Sequence, residues 1–266
     1  MRFPTQTHAK VAELFAGFCK SRDSVDTVIV VNSCARGRAT PESDLDLAAL
    51  VSPGTSAPEV AELETSWKRF ASKSGLVAHL LELGPFCKLH IDFFDGAFAP
   101  TVWDEGGGPD TFEIEIGNRI ANSAVLDKPG SHFEKLKQLW LPYYDDELRI
   151  SRISMVRDAC AYHLDYIKLL HRRSLHFHAF DQLYKAYQEF LQGVFISRQT
   201  YPIAYNKWIH EQIVEWLELP DLFDELLKVL TVTDLEGKDI LLKVELLQGM
   251  LESWVKAIEA PTTPED

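Results

Sequence analysis

Residues 28–47 constrain this chain more than any other stretch. Val28-Ile29-Val30-Val31 reads as an apolar strand, residues 32–43 as a polar turn carrying Arg36-Gly37, and Asp44-Leu45-Asp46-Leu47 as the start of a second apolar strand. Side chains alternate faces along a strand, so Asp44 and Asp46 point the same way. Two carboxylates that close repel each other unless something positive sits between them. A divalent cation is the most economical source of that charge, and the turn before the pair is built to hold an anion. Metal and phosphate together point to nucleotide chemistry.

The 266 residues, 46% of them hydrophobic, suffice for one large domain or two modest ones. The formal net charge of −13 disfavours nucleic acid as a general partner, because phosphate neutralisation needs surplus Lys and Arg. It leaves room for a local basic site. Cys19, Cys34, Cys87 and Cys160 are far apart and form no C-x-x-C pair. That argues against a zinc ribbon or a disulfide framework and suits the reduced thiols of a cytoplasmic protein. Charges at Arg2, Lys10, Glu13, Lys20, Arg22, Asp23 and Asp26 speak against a signal peptide. No apolar run approaches the roughly 18 residues of a membrane span, so no membrane partner is expected.

Periodicity divides the chain in two. Val11, Leu14, Phe15 and Phe18 predict a helix over 5–20, and strands are expected at 27–31 and 44–51. Residues 52–58 form a loop, followed by a helix with Pro58 near its start and Val60, Leu63, Trp67 and Phe70 on one face. Strands are predicted at 76–83 and 87–94, an exposed loop at 104–110, and a further strand within 111–126. From about residue 131 the pattern is helical, with long faces at Ile150 to Ile167 and Leu183 to Val194 and further helices at 206–218, 221–230 and 237–258. The expectation is an α+β chain: a small mixed-sheet domain over 1–130, an all-α helical bundle over 131–260, and a disordered tail at 261–266. Between Arg149 and Lys185 seven basic residues (Arg149, Arg152, Arg157, Lys168, Arg172, Arg173, Lys185) face three acids, an excess read as a solvated helix face or as a surface toward phosphates.

The ordered set Ser33-x-x-Arg36-Gly37 and Ser43-Asp44-Leu45-Asp46 resembles the signature of the DNA polymerase β-like nucleotidyltransferase superfamily, closest to its minimal and antibiotic-modifying (aminoglycoside or lincosamide) members. Glu189 to Phe195, Arg198, Tyr201-Pro202 and Lys207-Trp208 resemble the C-terminal helical domain of such enzymes, which closes the cleft and shapes the acceptor pocket. The resemblance implies transfer of a nucleoside monophosphate, AMP from ATP, to a hydroxyl of a small molecule. Nucleotidylation of a protein or RNA acceptor, or nucleotide binding without turnover, are the other readings.

Within that resemblance, Asp44 and Asp46 would bind Mg²⁺, with Asp92 on the strand at 87–94 as third ligand or general base. Asp92 could equally be an edge-strand acid or one partner of a salt bridge. Ser33 and the turn amides would hold the triphosphate. Arg36 would add a charge-assisted contact or close the turn as an ion pair. Ser43 would hold a phosphate or simply precede the strand. Lys185 could reach the β- or γ-phosphate or pair with Glu189 at i+4. Gly37 suits positive φ. Position 32 is Asn where these enzymes usually have Gly, and Asn is the non-Gly residue that best tolerates a left-handed backbone.

Overall fold

A computed structural model describes residues 3–101, 107–127 and 130–257. The chain forms two compact units, one of residues up to 99 with 115–141 and one of 100–114 with 142 onward. The first contains α1 (Gln6–Lys20), β1 (Val25–Val30), α2 (Asn32–Ala35), β2 (Leu45–Val51), α3 (Ala57–Ala71), α4 (Gly75–Leu81), β3 (Leu89–Phe94), a π-helical turn (Gly117–Ala121), β4 (Ala124–Asp127) and α6 (Ser131–Trp140); α5 (Phe112–Ile116) precedes the π-helical turn. The sheet order is β3-β2-β1-β4. β1 pairs antiparallel with β2 and β4, and β2 pairs parallel with β3. A parallel neighbour needs a long crossover, and α3 and α4 supply it.

One face of the sheet makes the core. Val28, Val30, Leu45, Leu47, Ala49 and Val51 alternate toward Val11, Phe15 and Phe18 of α1, with Trp67 and Leu80 beside them. The Phe15 and Trp67 rings meet edge to face at 4.9 Å. α1 starts at Thr5, whose side chain accepts from the His8 amide, and α3 starts with a capping box between Ser56 and Glu59.

The strand predicted over 76–83 is a helix instead. Ser74 caps it by accepting from the Val77 amide, and Val77 and Leu80, three apart, are its buried residues. A short apolar run carries no period that separates strand from helix. The strand expected within 111–126 is limited to Ala124–Asp127, after α5 and the π-helical turn. After β4 the described elements are helical, and α6 groups with the sheet. The Asp26 carboxylate on β1 accepts from the His132 and Phe133 amides at the start of α6, and the Thr27 hydroxyl accepts from the Gly130 amide. Residues 104–106 of the expected loop and the whole expected tail at 261–266 lie outside the described residues.

The second unit is helical. α7 (Asp146–Arg172) and α8 (His176–Ser197) form a hairpin, followed by a π-helical turn (Glu211–Trp216), α9 (Pro220–Leu230) and α10 (Asp239–Trp254). α8 and the end of α10 pack so closely at Gly193 that a Cβ there would lie 2.7 Å from a Val255 methyl. No helix among the described residues is long and apolar enough to cross a membrane.

The basic excess at 149–185 is largely absorbed by local pairs, five of the seven residues being so engaged. Arg149 pairs with Asp146, Arg157 with Glu252, Lys168 with Asp165 and Lys185 with Asp181. Arg152 is buried and bridges Asp110 and Glu113, its Nη2 donating to them at 2.6 and 2.8 Å and its Nε to Glu113 at 2.9 Å. Gln192 donates to the same two carboxylates at 2.8 and 2.9 Å, and the Tyr144 hydroxyl to Glu113 at 3.0 Å. This network ties residues 110–113 to α7 and α8.

Arg152→Met leaves two buried carboxylates without their guanidinium and should destabilise the protein by about 3–5 kcal/mol, measured by urea denaturation. Burial alone would raise the Asp110 carboxyl, but Arg152, with Thr101 and Gln192, more than offsets it and holds Asp110 below the usual carboxylate range. A depressed folded value means stability that is present above the unfolded pKa, about 3.9, and is lost as pH falls through the folded value. The stability gap between the wild type and Asp110→Asn should therefore be widest at neutral pH and close on acidification.

Candidate active site

The site is built on the parallel ladder between β2 and β3. Asp46 lies beside His90 and Ala48 beside Asp92. Lateral neighbours in a sheet share a face, so Asp46, His90 and Asp92 project from the side opposite Leu45 and Leu47. Asp44, two residues before Asp46, precedes the strand on the same side. At this end the face is open: Asp44 and Asp92 keep 40% and 49% of their side-chain surface, enough for a ligand to reach both.

Asp44 is held from several directions. One carboxylate oxygen accepts from the Lys88 amide at 2.7 Å and the other lies 3.7 Å from His90 Nε2. Its backbone is fixed by buried groups that the sequence did not advertise. The Ser43 carbonyl accepts from Cys87 Sγ at 3.2 Å and lies 3.0 Å from His8 Nε2. The Asp44 carbonyl accepts from Cys34 Sγ at 3.7 Å. A carbonyl can only accept, so His8 carries its proton on Nε2 and its Nδ1 accepts from the Thr5 hydroxyl at 2.7 Å. Burial, then the neighbouring Asp46, Cys87 and Asp44, pushes the Cys34 thiol up to about 12. Cys34 is thus a protonated donor and not a nucleophile. His8 lies 35 residues from Ser43, a pairing that no local pattern reveals.

Asp92 is one partner of a salt bridge. Arg119 Nη2 donates to it at 2.6 Å, while the same guanidinium reaches Glu115 at 3.3 Å and lies over the Phe94 ring. Among the described residues no three His, Cys, Asp or Glu side chains converge as a metal cluster. The Asp44 and Asp46 carboxylates are the hard oxygen donors that Mg²⁺ takes, and they fit a cation that completes its shell with water or phosphate. Asp92, on the same face, is turned to Arg119.

The turn has the predicted backbone. Asn32 has φ 57° and Gly37 φ 71°. α2 is a single turn with no side-chain cap, so the turn can offer its first amides but not a long helix dipole. Ser33 lends its carbonyl to the Arg38 amide at 2.9 Å. The Arg36 amide donates to the Asn32 carbonyl at 3.3 Å, closing the turn. Ser43 accepts from the Thr40 amide at 2.9 Å, which makes it a turn-closing residue before the strand. Lys185 belongs to the helical unit, where it pairs with Asp181 at 3.2 Å, one turn earlier and not one turn later. Glu189, its other expected partner, is buried against His163 at 2.8 Å.

Asn32→Ala places a side chain that cannot support the left-handed backbone and should cost about 1–2 kcal/mol, read from thermal or urea denaturation. Asn32→Gly should leave stability nearly unchanged, because glycine meets that backbone without steric cost.

A search of curated proteins gave no significant match. Residues 12–96, which hold β1, β2, β3 and all three aspartates, match the family model of the nucleotidyltransferase domain. With that match and this sheet, the chain carries the catalytic domain of a transferase of phosphorus-containing groups.

Proposed function

We propose that the protein is a Mg²⁺-dependent nucleotidyltransferase that moves AMP from ATP onto a hydroxyl of a small-molecule acceptor, such as an antibiotic. The observation that carries this reading is the Asp44 and Asp46 pair at the head of β2, inside the segment that matches the nucleotidyltransferase domain. When bound, Mg²⁺ offsets the charge of the triphosphate and of the transition state. Asp44 and Asp46 would hold it. The amide of Lys88 and the anchored Ser43 carbonyl fix the Asp44 carboxylate and its backbone before the nucleotide arrives, so no reorganisation is needed during reaction.

The Ser33 hydroxyl and the Arg36 side chain contact phosphate oxygens. The acceptor oxygen attacks the α-phosphorus, its P–O bond forms as the bond to the β-phosphate oxygen breaks, and pyrophosphate leaves. The proton of the acceptor hydroxyl passes to the Asp92 carboxylate. Arg119 pairs with that carboxylate in the free enzyme and gives it up when the phosphates offer a second anion.

The test is transfer of label from α-labelled ATP, with and without Mg²⁺, beside direct measurement of nucleotide affinity. Asp44→Asn and Asp46→Asn should each lower turnover roughly a hundredfold or more and remove the Mg²⁺ dependence of ATP binding. Asp92→Asn should lower kcat while leaving ATP affinity close to that of the wild type. Unchanged nucleotide affinity in both Asp44 and Asp46 variants, with and without metal, overturns the reading.

A further inference from the structure

Local pairs leave part of the basic run at 149–185 unabsorbed. Residues 166–180 hold Lys168, Arg172, Arg173 and three histidines and no Asp or Glu, in a chain of net charge −13. Lys168 is paired with Asp165, but Arg172 and Arg173 take part in no ion pair among the described residues. Both are exposed, and both stand where α7 turns into α8. The acids that flank this stretch are neutralised in place, Asp165 by Lys168 and Asp181 by Lys185.

The same turn displays apolar side chains. Leu169, Leu175, Phe177 and Phe180 are all exposed, Phe177 to 86%. α8 buries Ala179, Leu183 and Ala186, and Phe177, two residues before Ala179, stands about opposite that face. Packing within the helical unit therefore does not account for it. Nor is the display the product of a loose loop. Ser174 has φ 56°, its amide donates to the His171 carbonyl, and the Leu175 amide donates to the Leu170 carbonyl, both at 3.0 Å. Those two bonds close α7 in a Schellman motif. The His171 and His176 rings meet across the turn at 5.7 Å. The tip is thus formed before a partner arrives, and docking on it orders little further chain.

Two unpaired guanidiniums beside exposed aliphatic and aromatic groups fit a partner that is anionic at its surface and apolar beneath. A bilayer with anionic headgroups has that order. A nucleic acid fits less well. Leu169 and Leu175 offer no ring for base stacking, and two arginines neutralise few phosphates. The net negative charge does not forbid the approach. α7 has 27 residues, about 40 Å at 1.5 Å per residue, and exposed charges are largely screened beyond about 8–10 Å. The far end of the hairpin therefore lies several screening lengths from its tip.

We propose that the tip of the α7–α8 hairpin docks the protein on an anionic lipid surface, with Arg172 and Arg173 at the headgroup phosphates and Leu175, Phe177 and Phe180 in the interfacial layer. Docking of this kind lies on the bilayer and needs no spanning helix. The tip is independent of the carboxylate face of β2, so a failure here would leave the proposed transferase reading untouched.

The experiment is co-sedimentation of the full chain with vesicles of phosphatidylcholine alone and of phosphatidylcholine mixed with phosphatidylglycerol, at low and at high salt. The protein should partition onto the mixed vesicles at least about tenfold more strongly than onto the neutral ones, and salt should weaken that binding. Replacing both arginines, Arg172→Gln with Arg173→Gln, should lower it at least about tenfold. Phe177→Ser should lower it several-fold at unchanged charge. All three residues are exposed, so these variants should keep the wild-type circular dichroism and melting midpoint. Leu139→Ser, at an exposed leucine of α6, should bind as the wild type does. No partition onto the mixed vesicles would overturn the proposal, and a labelled oligouridylate held by the same arginines in that case would make the tip a nucleic-acid surface. Equal partition onto both kinds of vesicle, or full binding by the folded double-arginine or Phe177→Ser variant, would overturn it as well.

Discussion

Repulsion between carboxylates on one face of a parallel strand pair is the constraint that organises the sheet unit. The register that sets Asp46 beside His90 and Ala48 beside Asp92 puts Asp44, Asp46 and Asp92 on the same side. A one-residue slip would bury that set and expose Leu45 and Leu47. The unit meets the repulsion group by group. Asp44 is given a backbone amide and a nearby imidazole. Asp92 is given a guanidinium. All of this happens where the face is open, so solvent screens what the protein does not.

The anchoring of Asp44 shows why the strand alone does not make the site. Asp44 lies just outside β2, and a residue at a strand end is held by ladder bonds on one side only. Here the preceding carbonyl is clasped by His8 from α1 and by Cys87 from the approach to β3, and its own carbonyl by Cys34 from α2. Three elements thus converge on two consecutive carbonyls. The Thr5 hydroxyl that caps α1 also fixes the His8 tautomer, so the start of the first helix and the position of a candidate metal ligand are one construction.

The motif was legible in the sequence because its signals are local. An alternating strand, a left-handed Asn, a positive-φ Gly and a pair of acids two apart each depend on a few neighbouring residues, and the backbone angles at Asn32 and Gly37 are those the residue types ask for. What the sequence hid was long-range or cancelled. The Ser43 carbonyl meets a histidine 35 residues away and a cysteine 44 away. Arg119 reaches Asp92 across 27 residues. The basic run at 149–185 looked like a surface, yet Arg152 within it is among the most deeply buried charges, because its acids at Asp110 and Glu113 come from a segment with no periodicity to betray it. The misread strand at 76–83 failed for the opposite reason. Its signal was local but lacked a period, and the decision lay with the cap at Ser74.

The two units treat surplus negative charge in opposite ways, and the difference bears on what each can do. On the sheet, Asp44 and Asp92 are half exposed, so the repulsion between carboxylates costs little, which is compatible with the proposed cation arriving and leaving with a nucleotide. Such a site can be empty or filled at a modest difference in stability, which suits turnover. In the helical unit, Glu113 is buried and Asp110 nearly so, and their charge must be met as the chain folds. Arg152 meets most of it, and Gln192 takes up further lone pairs at the expense of its own oxygen.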